Sequence, residues 1–322
     1  MRQQTVDRGR RHCLRLGGGV VLGMAGGSLP GLVSSALAGA VGSRDGLLSK
    51  PIPASGERLP VVGIGTARRF DVGDHADDLA ELRGVLSELP RLGGCLVDTA
   101  PSYGRAEAVI GALVAAIGNR DDLFIATKVG AGRDSRDAGI KEMQGSLQRL
   151  RVDHFDLLQV HNLAGVKDML PVLRDWKASG RTRYIGISTS FKDQYQDFAA
   201  VMERESLDFI QVDYAIDNRS AEQRILPLAA ERGMAVLCNL PFGRGRVLQA
   251  FGARPLPDWA AALGIESWAQ FALKYVASHP AVTCAIPGTA KRTYLHDNLG
   301  ALRGQLPDPA TRKRMAALIE AG

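Results

Sequence analysis

The chain has 322 residues, 45% hydrophobic and 23% charged, with a formal net charge of +6; one α/β barrel of roughly 250 residues fits that length. Residues 1–40 hold five arginines (Arg2, Arg8, Arg10, Arg11, Arg15) against one acid (Asp7), so only +2 remains for the rest of the chain. That excludes an electrostatic footprint on nucleic acid.

The first stretch reads as a leader, residues 1–45, set apart from a single folded domain over 46–322. Gly9-Arg10-Arg11-His12-Cys13-Leu14-Arg15 is followed by an uncharged, glycine-rich run to Ser43. Small residues at Ala36-Leu37-Ala38 and Ala38-Gly39-Ala40 offer cleavage sites. This resembles a twin-arginine export signal, with Gly9 and Cys13 in place of the usual Ser/Thr and Phe, and implies export to the periplasm. Two alternatives stay open: an uncleaved membrane anchor, weakened by six glycines and Pro30, and an N-terminal extension on a cytoplasmic protein. Beyond export machinery no membrane partner is expected, and the oligomeric state is open. Of the four cysteines, Cys95, Cys238 and Cys284 sit in apolar runs and read as buried thiols. With Cys13 they show no metal-ligand spacing, so no metal is expected.

From position 60 onward, eight short apolar runs alternate with helical patterns. The runs are Val61–Gly65, Cys95–Asp98, Leu123–Val129, Phe155–His161, Tyr184–Ser188, Phe209–Tyr214, Ala235–Leu240 and Val282–Pro287. Their apolar character is continuous, as for parallel strands covered on both faces. The helical stretches between them begin near Asp74, Arg105, Ser135, Val166, Lys192, Ser220 and Ser267. Two more follow near Thr293–Leu302 and Pro309–Ala321. Asp156, Asp193 and Ser220 read as local turn or cap residues. Eight such units predict a (β/α)8 TIM barrel with its chemistry at the C-terminal strand ends. Phe242–Pro257, rich in Gly, Arg and Pro, reads as a long loop, either a lid or a connection.

Those strand ends carry Asp98, Lys128 and His161, and Tyr103 lies one turn beyond the first. Singly, each has a bland reading: a turn cap, a surface charge, a core histidine. Together, at one barrel mouth, they form a proton donor. A lysine beside a phenol favours phenolate and is expected to pull the tyrosine pKa from about 10 toward neutrality. An aspartate fixes the lysine, and a histidine hydrogen-bonds the substrate oxygen. A proton delivered to a developing alkoxide means carbonyl reduction.

The sequence resembles the aldo-keto reductases over roughly residues 57–305. The matching residues are Val62-Gly63-Ile64-Gly65-Thr66, then Asp98-Thr99-Ala100-x-x-Tyr103-Gly104-x-x-Glu107, then Thr127-Lys128. Further on come Leu147-x-x-Leu150-x-Val152-Asp153-x-x-Asp156-Leu157-x-x-x-His161, Ile185-Gly186-Ile187-Ser188, Gln211-Val212, Ile286-Pro287-Gly288-Thr289 and Asp297-Asn298. The resemblance implies a catalytic tetrad: Tyr103 as general acid, Lys128 and Asp98 tuning it, His161 orienting the carbonyl. It implies a nicotinamide cofactor, NADPH in preference to NADH, and a small-molecule aldehyde, ketone or sugar substrate. Gly65 and Thr66 fall among the cofactor contacts, Ser188 and Gln211 hold the carboxamide, and Gly288, Thr289, Lys291 and Arg292 form the phosphate end. Asp297 and Asn298 contact adenine.

Three positions depart from the family pattern. Thr189 stands where Asn is usual, Asn239 where an aromatic stacks on the nicotinamide, and Tyr294 where an arginine takes the 2′-phosphate, leaving Lys291 and Arg292 as the cations for it. The altered contacts keep an alternative in view: a low-turnover cofactor-binding sensor or regulatory subunit on the same barrel.

Overall fold

The computed structural model describes residues 42–44, 46–73 and 75–320. The leader readings, Cys13 included, fall on residues outside these apart from the last few. There β1 (Gly42–Arg44) pairs antiparallel with β2 (Leu47–Pro51), which pairs with β3 (Arg58–Pro60). This small sheet, absent from the sequence reading, takes in three residues of the stretch set apart as leader.

Eight parallel strands follow in sequential order: β4 (Ile64–Gly65), β5 (Leu96–Asp98), β6 (Phe124–Val129), β7 (Phe155–His161), β8 (Thr182–Ser188), β9 (Phe209–Asp213), β10 (Ala235–Asn239) and β11 (Cys284–Ala285). Parallel bridges Val62↔Ala285 and Gly65↔Gly288 join the first of these to the last, closing the (β/α)8 barrel. The end strands are shorter than expected, and Pro287, lacking an N–H, stops β11 early.

Around the barrel lie α1 (Ala76–Glu88), α2 (Ala106–Ile117), α3 (Arg136–Leu150), α4 (Val166–Ala178), α5 (Tyr195–Arg204), α6 (Ile225–Glu231), α7 (Arg246–Phe251), α8 (Trp268–Ala277), α9 (Arg292–Gly300) and α10 (Pro309–Glu320). The stretch read as a long loop therefore contains a helix, α7, preceded by a 3-10 turn at Gly243–Gly245. Ser135 and Ser267 supply side-chain N-caps to α3 and α8, and Asp308 Oδ1 accepts from Thr311 N (2.7 Å) at the start of α10. Asp156 is not a turn residue: buried within β7, it accepts from Ile125 N (2.8 Å) and pairs with Arg120 and Arg183 (2.9 Å each). Among the described residues, no helix is long and apolar enough to cross a membrane.

Side chains alternate across each strand, so residues two apart face the barrel axis together. Going up the inward series, Leu96 leads to Asp98, Phe124 and Ala126 to Lys128, Leu157 to Gln159 and His161, Phe209 to Gln211, and Ala235 and Leu237 to Asn239. The lower members pack with Tyr184, Cys95, Cys284 and Ile286 into one buried apolar cluster, and the upper members are polar. The β2–β3 hairpin seals the floor. Ile52 and Leu59, both fully buried, join that cluster, and the buried Lys50 donates to the carbonyls of Ala277 (2.7 Å), His279 (2.8 Å) and Val282 (2.7 Å). A larger cluster fills the space between strands and helices. With floor and flanks apolar, chemistry is left to the upper end.

Candidate active site

Asp98 ends β5 and Lys128 lies one residue from the end of β6, adjacent strands of the barrel. Lys128 Nζ meets Asp98 Oδ1 at 2.7 Å and Oδ2 at 2.8 Å, and also donates to Thr99 O at 2.9 Å. Both side chains are nearly inaccessible. Glu107, buried on α2, anchors β6 beside this pair: it accepts from Thr127 Oγ1 (2.6 Å) and Arg149 Nε (2.8 Å).

Lys128 Nζ lies 5.1 Å from the centre of the half-buried Tyr103 ring, whose own neighbour is the His161 imidazole, edge-on at 5.9 Å and 83°. The four residues singled out in the sequence thus meet at one place. Burial would lower the Lys128 ammonium, but the charge of Asp98 and its hydrogen bonds to Lys128 hold it above its ordinary value. Burial pushes the Asp98 carboxyl up, against the pull of Lys128. Tyr103 departs from expectation: burial raises the phenol pKa, and the lysine offsets this only in part. The proton therefore stays on Tyr103 through neutral pH. Burial, then Lys128 and Arg133, lower His161 to about 3, so its imidazole is neutral.

These residues form one wall of a cavity of about 850 Å3, within the size range of small-molecule sites. Ser188 and Gln211 line it. Gln211 is aligned by a buried chain in which Gln159 Nε2 donates to its Oε1 (2.9 Å) and its own Nε2 donates to Asp98 Oδ2 (3.5 Å). Asn239 also lines the cavity and donates to Thr189 O (3.1 Å), while its buried Oδ1 has no partner among the described residues. Gly65, Thr66, Gly288, Asp297 and Asn298 continue the lining toward α9.

Four of the expected cofactor contacts stand elsewhere. The buried Thr189 donates to Gln194 Oε1 (2.7 Å) behind the cavity wall. Thr289, also buried, donates to Pro287 O (3.0 Å) and accepts from Asn298 Nδ2 (3.1 Å). Arg292 packs along α1, where a Cβ on Gly84 would collide with it, and pairs with Glu81 at 3.0 Å and Glu88 at 3.8 Å. Exposed Lys291 lies outside the lining, its ammonium 5.9 Å from the Tyr294 ring.

Sequence reasoning missed the arginines. Arg68, Arg69 and Arg244 line the cavity, and among the described residues none makes an ion pair. Arg68 (φ 58°) and Arg244 (φ 59°) hold left-handed backbone, as do Asn162 (51°) and Leu240 (52°) on the same rim. Non-glycine residues in this conformation cluster at ligand-binding sites. The available signals were the Arg68-Arg69 pair two residues after the strand-end Thr66 and the Gly243-Arg244-Gly245 run.

The fold and this buried polar cluster define a (β/α)8 enzyme whose buried titratable groups gather at the C-terminal mouth. Residues 61–318 match the Aldo/keto reductase family. The chain belongs to that family. It is 29% identical over 201 residues to the Aldo-keto reductase YhdN of Bacillus subtilis, covering 57% of this chain and 59% of that protein. To the Methylglyoxal reductase DkgB of Escherichia coli O157:H7 it is 28% identical over 81% of this chain and 93% of the other. An aldo/keto reductase from Klebsiella pneumoniae, solved with NADP and acetate, superposes with a TM-score of 0.68 at 24% identity, over 82% of this chain and 93% of that one. That likeness bears on the fold.

Proposed function

We propose that the protein reduces the carbonyl of a small aldehyde, ketone or sugar to an alcohol, using a reduced nicotinamide dinucleotide. The observation that carries this is the buried Asp98–Lys128 pair beneath Tyr103, with His161 edge-on to the same phenol. The cavity suits the cofactor. Three arginines with no ion-pair partner among the described residues offer charge for a diphosphate, and Asn239 Oδ1, buried with no partner among them, can accept from an amide N–H.

When bound, the reduced nicotinamide supplies a hydride to the carbonyl carbon. The chain's own residues do the rest. Neutral His161 donates an N–H to the carbonyl oxygen and orients it. Tyr103, held protonated by burial, gives its proton to that oxygen as negative charge develops there. Lys128 then stabilises the phenolate left behind, and Asp98 keeps Lys128 charged and fixed. Gln211 and Ser188 present amide and hydroxyl groups to the nicotinamide side.

The test is cofactor oxidation by the purified full chain with simple aldehydes, methylglyoxal first because a relative reduces it by name. Turnover is expected, with Tyr103→Phe roughly a hundredfold slower or worse. No oxidation with either cofactor, or a Tyr103→Phe rate equal to wild type, would sink the reading.

On the sequence of residues 1–45 alone, we infer export by a twin-arginine route. Subcellular fractionation with N-terminal sequencing decides it: an intact N-terminus recovered only from the cytoplasm overturns it.

A further inference from the structure

The cavity runs from Tyr103 and His161 at one side to Tyr294, Asp297 and Asn298 on α9. If the protein reduces carbonyls as proposed above, on which this inference rests, the hydride-donating ring lies against Tyr103 and His161. The adenosine half then lies toward α9. NADPH and NADH differ there by one phosphate on the adenosine ribose, carrying close to two negative charges at neutral pH. A site for that phosphate needs a free cation or an open helix N-terminus, whereas a ribose diol needs a carboxylate or amide.

The α9 end offers the second set. Its first backbone N–H, on Arg292, already donates to Glu81 Oε2 at 3.1 Å, so a carboxylate from α1 occupies the N-terminus. The Arg292 guanidinium is held by the same Glu81 and by Glu88, and Glu88 also bonds His296 at 2.6 Å. The Lys291 ammonium lies by the Tyr294 ring and within the field of Glu81. Toward the cavity α9 turns the exposed Tyr294 phenol, the Asp297 carboxylate and the Asn298 amide. With Arg68, Arg69 (beside Gly288) and Arg244 taken for the diphosphate common to both cofactors, none of them discriminates. We infer that the adenosine end is built for an unphosphorylated ribose, and that the enzyme binds NADH in preference to NADPH. The direction is opposite to the one the family resemblance alone implied.

The experiment is a fluorescence titration of the purified full chain with NADH and NADPH at one ionic strength, with AMP and adenosine 2′,5′-bisphosphate, which differ only in the 2′-phosphate, as probes of the adenosine end. NADH is expected to bind about tenfold tighter or more, and AMP tighter than the bisphosphate. Glu81→Gln, which frees Arg292 and the first N–H of α9, is expected to narrow the NADPH/NADH ratio of Kd several-fold by tightening NADPH. Wild-type binding of NADPH equal to or tighter than NADH overturns the inference and leaves the reductase reading standing. A ratio unmoved by Glu81→Gln overturns the part given to Glu81. Binding of neither cofactor overturns the reductase reading itself, and this inference with it.

Discussion

Lys128 Nζ is shared between two jobs: it binds Asp98 at 2.7 Å and faces the Tyr103 ring at 5.1 Å. A buried charge pair is costly to break from one side, since the remaining ion has no partner. Lys128→Met is therefore expected to destabilise by about 3–5 kcal/mol and to lower kcat by roughly a hundredfold or more. The double variant Asp98→Asn/Lys128→Met should recover most of the stability and none of the activity. Urea unfolding beside a rate assay separates the two, and a double variant no more stable than the single one contradicts the argument.

Acid should weaken the fold through its buried histidines. Burial lowers His161 to about 3 and His279 to about 4, while in the unfolded chain both titrate near 6.5. Between pH 6.5 and 4 the unfolded state binds protons that the folded state refuses, so stability falls as pH falls, by up to about 1.4 kcal/mol per pH unit per group. Urea unfolding at pH 7.5, 6 and 5 measures the slope, which His279→Gln should flatten. For the same reason His161 should add no inflection near pH 6.5 to the rate profile.

The cavity arginines give a binding test independent of catalysis. Arg68→Ala and Arg244→Ala are each expected to raise the cofactor Kd roughly three- to tenfold. Because these contacts are partly exposed, the loss should shrink in 1 M salt. A loss that is unchanged by salt would point to packing rather than charge.

The floor is open to a stability test. Leu59→Ala removes a fully buried side chain from the barrel interior and should cost about 2–5 kcal/mol. The mouth lies at the other end of the strands, so kcat measured well below the midpoint of unfolding should stay near wild type.

The barrel and its four polar strand ends could be read in the sequence because each depends on local order: an apolar run, then one polar residue at its end. What could not be read depends on distance or burial. Glu81 captures Arg292 across 211 positions of chain, and nothing near Arg292 announces it. Arg68 and Arg244 reach the cavity through left-handed turns that their residue type does not predict. The direction of the Tyr103 shift turned on how deeply the phenol is buried, which spacing does not encode. The β2–β3 hairpin gives little strand signal because its strands are short, with prolines at Pro51 and Pro60.

That hairpin also orders events in time. Lys50 grips carbonyls at Ala277, His279 and Val282, and Leu48 N donates to Leu302 O at 2.8 Å. Partners separated by 227 or more positions cannot meet until nearly the whole chain has been made. The segment synthesised early is thus anchored by residues 277–302, so the floor cannot close until that late part of the chain is present.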